Sequence, residues 1–216
     1  MEQRKPTRVV VLGGGTAGWM SAAGLARLLG ERVEVQLIES EDIGIVGVGE
    51  ATLPHIRGFV ERLGISEAAF MKATHATYKL GIRFTGWSER AGYESYFHPF
   101  PGPVDLHSEP GFVHNCALAR RGFDVPAHPD DWFLATALAD RGHSPHAADS
   151  FPFAPSYGYH FDAYKLGAFL RQWATARGVT HLDRMIGEVE VGDVLYAGLD
   201  RRGSPRAQLL RWGKDG

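Results

Sequence analysis

Cysteine is nearly absent from this chain of 216 residues, and so are long apolar runs. Its single cysteine, Cys116, excludes an internal disulfide and is typical of a protein from a reducing compartment. The first apolar run, residues 9–12, is far too short for a secretion signal or a membrane span, and glycines follow it at once. We therefore expect a cytoplasmic protein with no membrane partner.

The chain also lacks an excess of charge of either sign, because its 23 Lys and Arg nearly balance its 25 Asp and Glu. Without a cluster of basic residues we expect no nucleic-acid partner. The ten histidines are scattered, and none forms a helical pair with an acid or a paired Cys/His set, so we predict no metal site. Apolar content of 44% and this length suit one soluble domain that contains a large insertion.

The amino-terminal part has the order strand, glycine loop, helix, strand, acid. Residues 9–12 form a short continuous apolar run, which predicts a strand buried on both faces of a parallel sheet. A helix from Trp19 to Leu29, closed by Gly30, follows the glycines, and the second strand covers residues 33–38 and ends at Glu39. This order is the context that a dinucleotide-binding fingerprint requires.

The remaining pattern predicts further helices around an irregular insertion. Helices are expected over residues 54–63, from the Ser66 cap to about residue 74, and from the Asp162 cap to just before Gly178. The insertion, residues 86–159, is rich in Pro, His, Gly and aromatics and should contain one helix at residues 131–140. A third parallel strand at residues 179–182 should lead into an antiparallel β-meander. The expected meander strands are residues 186–191, 194–199 and 207–212.

The glycine loop predicts a nucleotide site. Gly13 permits the tight turn, Gly15 lets the backbone approach a pyrophosphate, and Gly18 allows close packing between helix and strand. A helix that starts near Thr16 and Ala17 points its free amides and positive dipole end at the phosphates. Glu39 lies 21 residues after Gly18, where a carboxylate can accept hydrogen bonds from ribose hydroxyls.

The fingerprint by itself does not separate FAD from NAD. A carboxylate at position 39 argues against a 2′-phosphate and hence against NADP. The third strand runs into a meander instead of an alternating βαβ series, which resembles the FAD domain of flavoprotein monooxygenases and favours FAD. The fold class is therefore α/β, a Rossmann-like FAD-binding domain. We expect one domain over residues 1–216, with a nucleotide-binding core at 7–85 and 160–212 and a substrate-side insertion at 86–159.

Three further segments resemble one enzyme family. They are residues 44–54 (GIVGVGEATLP), residues 78–84 (YKLGIRF) and residues 96–100 (YFHPF). In this order, after the fingerprint, they are similar to the amino-terminal part of the flavin-dependent tryptophan halogenases. Members of that family are more than twice as long, so the resemblance implies a truncated chain, incomplete at its carboxyl end and of doubtful activity.

The resemblance implies roles for particular residues. Lys79 falls at the family's lysine, which delivers an electrophilic halogen from hypohalous acid to one ring carbon of the substrate. Phe100 would stack on an indole face and His98 would contact its edge, while His160 belongs to a lead-in that is expected to be structural. The segment beside the flavin would bring backbone close to the isoalloxazine ring and offer polar contacts, through Gly49, Glu50, Ala51 and Thr52.

The resemblance also implies cofactors and partners. These are FAD in its reduced form, FADH2, a separate flavin reductase that supplies it, dioxygen, a chloride or bromide ion, tryptophan or another indole as substrate, and a homodimeric assembly. Two alternatives stay open. One is a flavin monooxygenase-like hydroxylase, which needs no lysine at position 79, and the other is a catalytically dead FAD-binding fragment. A halide requirement for turnover separates the first alternative from a halogenase.

Overall fold

The computed structural model describes residues 5–43, 49–146, 148–154 and 156–185. The three expected meander strands therefore lie outside the described residues. Within those ranges the chain forms eight strands and six α-helices. The strands are β1 (Thr7–Leu12), β2 (Val33–Glu39), β3 (Gly49–Ala51), β4 (Thr77–Lys79), β5 (Gly81–Thr85), β6 (Ser95–Pro99), β7 (Gly158–Asp162) and β8 (Thr180–Asp183). The helices are α1 (Thr16–Leu29), α2 (His55–Arg62), α3 (Glu67–Thr74), α4 (Glu109–Ala119), α5 (Leu134–Asp140) and α6 (Ala163–Thr175).

A parallel sheet of order β1-β2-β8 forms the base of the nucleotide site. The expected third parallel strand is confirmed, because β8 pairs with β2 in the register Leu37↔His181. Helix α1 packs on this sheet and α6 packs on α1, and Trp19, Leu37 and Leu170 are buried in one shared core. The carboxyl ends of all three strands consequently meet at one edge, where α1 begins.

The expectation that β1 is buried on both faces is wrong. Val10 is 38% exposed, and Val9 and Val11 are only partly buried. The strand lies at the edge of the described sheet. The continuous apolar run therefore predicted a strand of the parallel sheet correctly, but it did not predict whether both faces of that strand are buried.

The predicted helix caps are confirmed. The Ser66 side chain accepts a hydrogen bond from the Ala69 amide at the start of α3, and Asp162 accepts one from the Lys165 amide at the start of α6. Helix α1 begins at Thr16, the start expected from the fingerprint and three residues before the helical pattern that begins at Trp19, because Gly15 already has the extended backbone of an N-cap. After α6 the chain turns through Gly178, whose φ of 88° lies in the left-handed region.

Two antiparallel sheets were not predicted. One has the order β3-β7-β4, and the other is the hairpin β5-β6. Strand β7 lies between β3 and β4 and pairs with segments about 80 and 110 residues earlier in the chain, a separation at which local patterns give no signal. These sheets attach the insertion to the nucleotide-binding part and position the segment around Lys79.

Helix α4 was also missed, and the expected helix at residues 131–140 begins later, at Leu134. None of the residues of α4 is buried, and its apolar side chains are spread around the helix, so it lacks the stripe by which amphipathic helices are recognised. Residues Pro129–Asp131 form a separate 3-10 turn before α5. No helix among the described residues has the length and apolar character needed to cross a membrane.

Candidate functional site

The glycine loop connects β1 to α1 in the conformation that a phosphate site needs. Gly13 has φ +99°, and its amide donates to the Ile38 carbonyl at 2.8 Å. A methyl group at Gly15 would meet nothing within 4 Å, so the space in front of the helix is open. The first turn of α1, which starts at Thr16 and Ala17, contains no acidic residue. Its free amides therefore face an open space that suits an anion.

Two other glycines of the loop permit close approaches. A Cβ atom at Gly18 would overlap the Gly13 carbonyl oxygen, while the nearest atom of the neighbouring strand, Leu37 Cδ1, is 3.8 Å away. Gly18 thus serves mainly to close the loop on itself and less to bring helix and strand together. A Cβ atom at Gly14 would overlap the carboxylate of Glu39, so glycine at position 14 lets that side chain lie against the loop.

Glu39 ends β2 beside a histidine that sequence reasoning did not consider. Its Oε1 lies 2.9 Å from Nε2 of His181 on β8, and the side chains are 18% and 13% exposed. The approach does not follow the N–H direction, so Nε2 is buried without a hydrogen bond among the described residues. The imidazole packs against Trp19 of α1, with ring centroids 5.4 Å apart.

Strand β3 joins the glycine loop to the antiparallel sheet. Glu50 Oε1 accepts a hydrogen bond from Thr16 Oγ1 at 3.0 Å, which links β3 to the first residue of α1. Thr52 Oγ1 accepts from the Tyr159 amide at 3.0 Å, so this hydroxyl ties β3 to β7. Gly49 and Ala51 pair with Asp162 and His160. Residues 44–48 of the flavin-side segment lie outside the described residues.

Lys79 is the last residue of β4 and is only 8% exposed. Its Nζ lies 5.3 Å from the centroid of the Phe100 ring, and among the described residues no carboxylate pairs with it. Strand pairing places Lys79 opposite Gly158 of β7. A buried ammonium without a counter-ion is costly for a fold, which makes a purely structural role for this side chain a poor explanation.

The lysine borders a cavity of about 510 Å³. Its lining includes polar residues from three segments, namely Lys79 of β4, His143 and Ser144 after α5, and His160 of β7. Burial lowers the pKa of His160 below its usual 6.5, and the nearby charge of Lys79 lowers it further. His160 is therefore neutral at pH 7 and can accept a proton.

Replacing Lys79 by methionine should raise the pKa of His160 towards 6.5 without reaching it, because burial, the larger cause, remains. A Lys79→Arg variant, which keeps the positive charge, should leave the lowered pKa unchanged. The pKa of His160 is measured in wild type and in both variants by following imidazole resonances by NMR between pH 4 and about pH 8. The folded protein binds this proton more weakly than the unfolded chain, so His160 should reduce stability progressively as the pH falls below 6.5. Equal titration of His160 in all three proteins would contradict the coupling.

The two proposed substrate residues lie in different surroundings, His98 within β6 and Phe100 directly after its end. Phe100 is buried beside Lys79, and its amide donates to the Leu80 carbonyl at 2.8 Å. His98 is exposed and lies near the rings of Phe84 and Tyr96. This residue borders a groove of about 370 Å³ lined also by Phe112. The structure thus brings Phe100 to the lysine but does not bring His98 there.

A tyrosine cluster on the other face of the β4-β7 pair was missed by sequence reasoning. Tyr157 and Tyr159 both donate their phenolic hydroxyls to Glu67 Oε1, at 2.9 and 2.6 Å. Burial, followed by these hydrogen bonds, raises the pKa of both phenols. The guanidinium of Arg57 lies 4.0 Å from the ring centroid of Tyr157. The cluster joins α2 and α3 to β7 and so fixes the strand that pairs with Lys79.

A parallel sheet, a glycine loop at the start of a helix and an acid at the end of the second strand define a dinucleotide-binding α/β protein. The family model for tryptophan halogenase matches residues 8–195. Curated relatives include a tryptophan 6-halogenase from Streptomyces toxytricini, 37% identical over 89% of this chain and 40% of its own length. A 7-chloro-L-tryptophan 6-halogenase from Kutzneria sp. (strain 744) is 38% identical over 90% of this chain and 40% of its own.

Solved structures agree with this relationship. A flavin-dependent halogenase from Xanthomonas campestris superposes with a TM-score of 0.68 at 34% identity, over 96% of this chain and 39% of that chain. A flavin-dependent halogenase from Brevundimonas sp. BAL3 has a TM-score of 0.67 at 32% identity, over 95% and 39%. The chain belongs to the tryptophan halogenase family, a family of flavin-dependent oxidoreductases. It spans about two fifths of the length of the curated relatives it matches.

Proposed function

We propose that this chain is a flavin-dependent halogenase that uses FADH2, dioxygen and chloride or bromide to halogenate tryptophan or a related indole. The observation that supports this most is Lys79, a buried lysine without a counter-ion at the border of a cavity of about 510 Å³. The proposal includes a separate flavin reductase as the source of FADH2 and a cytoplasmic location. Because the chain spans two fifths of its relatives, activity, substrate and partners are all part of the proposal.

The residues of the glycine loop fit FAD. The open space at Gly15, the left-handed Gly13 and the amides of Thr16 and Ala17 suit its pyrophosphate, and Gly18 keeps the loop closed. Glu39 lies against the loop because position 14 has no side chain, and its carboxylate suits the ribose hydroxyls. When bound, reduced FAD supplies the electrons with which dioxygen converts a halide to hypohalous acid. The flavin side of the proposed site comprises Gly49, Glu50, Ala51 and Thr52.

Glu50 and Thr52 have positions that fit a supporting role beside the flavin. Each already uses its side chain within the protein, Glu50 towards Thr16 and Thr52 towards the backbone of β7. Both bonds fix β3, so its backbone is held in place before a ligand arrives. We propose that Gly49 and Ala51 allow the close approach of the flavin ring, while Glu50 and Thr52 maintain the strand at the correct distance from α1.

Lys79 would act on hypohalous acid in the cavity. Its ammonium can donate a hydrogen bond to the acid, and the free amine can form a bond between nitrogen and halogen. In the second case neutral His160 accepts the proton of the ammonium, the amine attacks the halogen, and the departing hydroxide takes that proton to form water. Phe100 would stack on the indole, and His98, on the aromatic groove, would contact a part of the substrate edge beyond that ring. In this proposal residues 86–159 form the substrate side.

A halide dependence tests the proposal. Purified chain is mixed with FAD, a flavin reductase, NADH, air and tryptophan in buffers that contain chloride, bromide or neither, and products are analysed by mass spectrometry. We expect chlorotryptophan and bromotryptophan in the matching buffers and no new product without halide. Hydroxytryptophan in halide-free buffer would favour a monooxygenase instead. FAD binding without any product would leave the chain as a non-catalytic FAD-binding protein.

A further inference from the structure

Glu39 and His181 meet at the carboxyl edge of the parallel sheet, where the adenosine half of a dinucleotide binds in proteins of this architecture. The two side chains come from β2 and β8, which are separated by about 140 residues in sequence but are paired in the sheet. Their Nε2 and Oε1 atoms lie 2.9 Å apart, yet Nε2 has no hydrogen-bond partner among the described residues. A buried imidazole nitrogen of this kind has an unused hydrogen-bonding capacity.

The surroundings hold the imidazole in place. The ring of Trp19, itself only 1% exposed, packs against the ring of His181. On the other side Glu39 is held between His181 and the backbone of Gly14, because a side chain at position 14 would overlap its carboxylate. The Glu39 carbonyl also accepts a hydrogen bond from the Arg184 amide at 2.8 Å, which fixes the end of β2 to the end of β8.

The chemistry of the two groups suits a vicinal diol. Each ribose hydroxyl is both a donor and an acceptor, the carboxylate of Glu39 can only accept, and the Nε2 of a neutral imidazole can donate or accept according to its tautomer. One hydroxyl can therefore donate to Glu39 while it or its neighbour satisfies Nε2. A 2′-phosphate would instead meet the carboxylate of Glu39, with that of Asp183 at the end of β8 nearby.

We propose that His181 is a second ribose-binding residue, which together with Glu39 recognises the unmodified 2′,3′-diol of the adenosine in the bound dinucleotide. The inference rests on the proposed function only in so far as both require a dinucleotide at the glycine loop. It adds His181, a residue outside the dinucleotide-binding fingerprint, to the adenosine end of the site. His181 binds and orients and takes no part in halogen transfer.

The test measures binding of small ligands to the full chain, with no need for turnover. Dissociation constants for ADP, 2′-deoxy-ADP and 3′-deoxy-ADP are measured by calorimetry for wild type, His181→Leu and His181→Gln. Leucine keeps the packing against Trp19, whereas glutamine restores a polar group. We expect His181→Leu to weaken ADP about tenfold, as the loss of one buried hydrogen bond does, and to weaken at least one deoxy ligand much less. Glutamine should recover part of the loss.

Several outcomes overturn the proposal. Equal weakening of all three ligands would show that His181 acts on the fold of the site and not on the diol, and unchanged affinity for ADP would show that it does nothing there. An exchange of the exposed His114 on α4 for glutamine is the matched control and should leave the three constants unchanged. If the leucine variant does not fold, an NMR measurement on the wild-type chain alone still tests the proposal. The His181 imidazole resonances should move with ADP but not with inorganic pyrophosphate, and immobile resonances contradict the proposal.

Failure of the halogenase proposal has a different signature. A chain that binds ADP through the diol but makes no halogenated product contradicts the enzymatic activity and leaves the role of His181 intact. A chain that halogenates tryptophan but whose His181→Leu variant binds ADP normally contradicts only the inference about His181.

Discussion

Replacing Lys79 with methionine should abolish halogenation while FAD binding is preserved. Methionine keeps the apolar stem of the side chain beside Phe100 but cannot donate a hydrogen bond to hypohalous acid or form a bond with the halogen. We expect the yield of halogenated indole to fall at least 100-fold, about the lower limit for loss of a side chain that acts on the reacting atoms. Product formation by mass spectrometry and FAD affinity by fluorescence quenching measure the two properties separately.

The stability of this variant should not fall. Lys79 is 8% exposed and has no carboxylate partner among the described residues, so methionine removes an uncompensated buried charge. A thermal midpoint equal to or above that of wild type is the expected result. The matched control is Lys72→Met on the exposed side of α3, which should leave activity unchanged. Comparable loss of product in both variants, or full activity in Lys79→Met, would contradict the role assigned to Lys79.

Alanine at Gly18 should lower stability and alanine at Gly15 should not, although both should weaken FAD binding. A methyl group at Gly15 meets nothing within 4 Å, and the backbone there, with φ −66°, suits any residue. Gly15→Ala should therefore fold with an unchanged thermal midpoint. Its methyl group lies where the backbone must approach the pyrophosphate, so FAD binding should weaken by roughly tenfold or more.

Gly18→Ala should lose stability as well as FAD. Its Cβ atom would overlap the Gly13 carbonyl oxygen, and a backbone atom of a tight loop cannot move aside as a flexible side chain can. We expect a loss of about 1–3 kcal/mol in the free energy of unfolding, the usual cost of overpacking, measured by urea denaturation. Gly58→Ala on α2 is the control, because nothing lies within 4 Å there and alanine should stabilise the helix by about 0.5–1 kcal/mol.

Two outcomes would contradict the loop conformation described above. A destabilised Gly15→Ala would mean that the space in front of α1 is filled by the protein itself. A fully stable Gly18→Ala that still binds FAD would mean that Gly13 and Gly18 do not pack against each other. Either result would remove the structural basis of the proposed cofactor site.

Much of the nucleotide half was predictable because its signals are local. The glycines at 13, 15 and 18, the helix that follows them and the acid at position 39 lie within about 30 residues, and each expresses a backbone or capping preference of its own segment. The same holds for the Asp162 cap, where one side chain and one nearby amide decide the helix start. Lys79 and Phe100 were indicated by resemblance rather than by spacing, and the structure brings the two together.

The amino-acid sequence by itself determined the class of this protein, through local conformational preferences and motifs that are short compared with the chain. Only the tertiary structure decided which side chains share a site. The pairing of β4 with β7 brought His160 to the cavity of Lys79, and the pairing of β2 with β8 set His181 against Glu39. The end of β6 at Pro99 also separated the exposed His98 from the buried Phe100. Such contacts join segments roughly 80 to 140 residues apart, and they depend on register and burial, which no local pattern encodes.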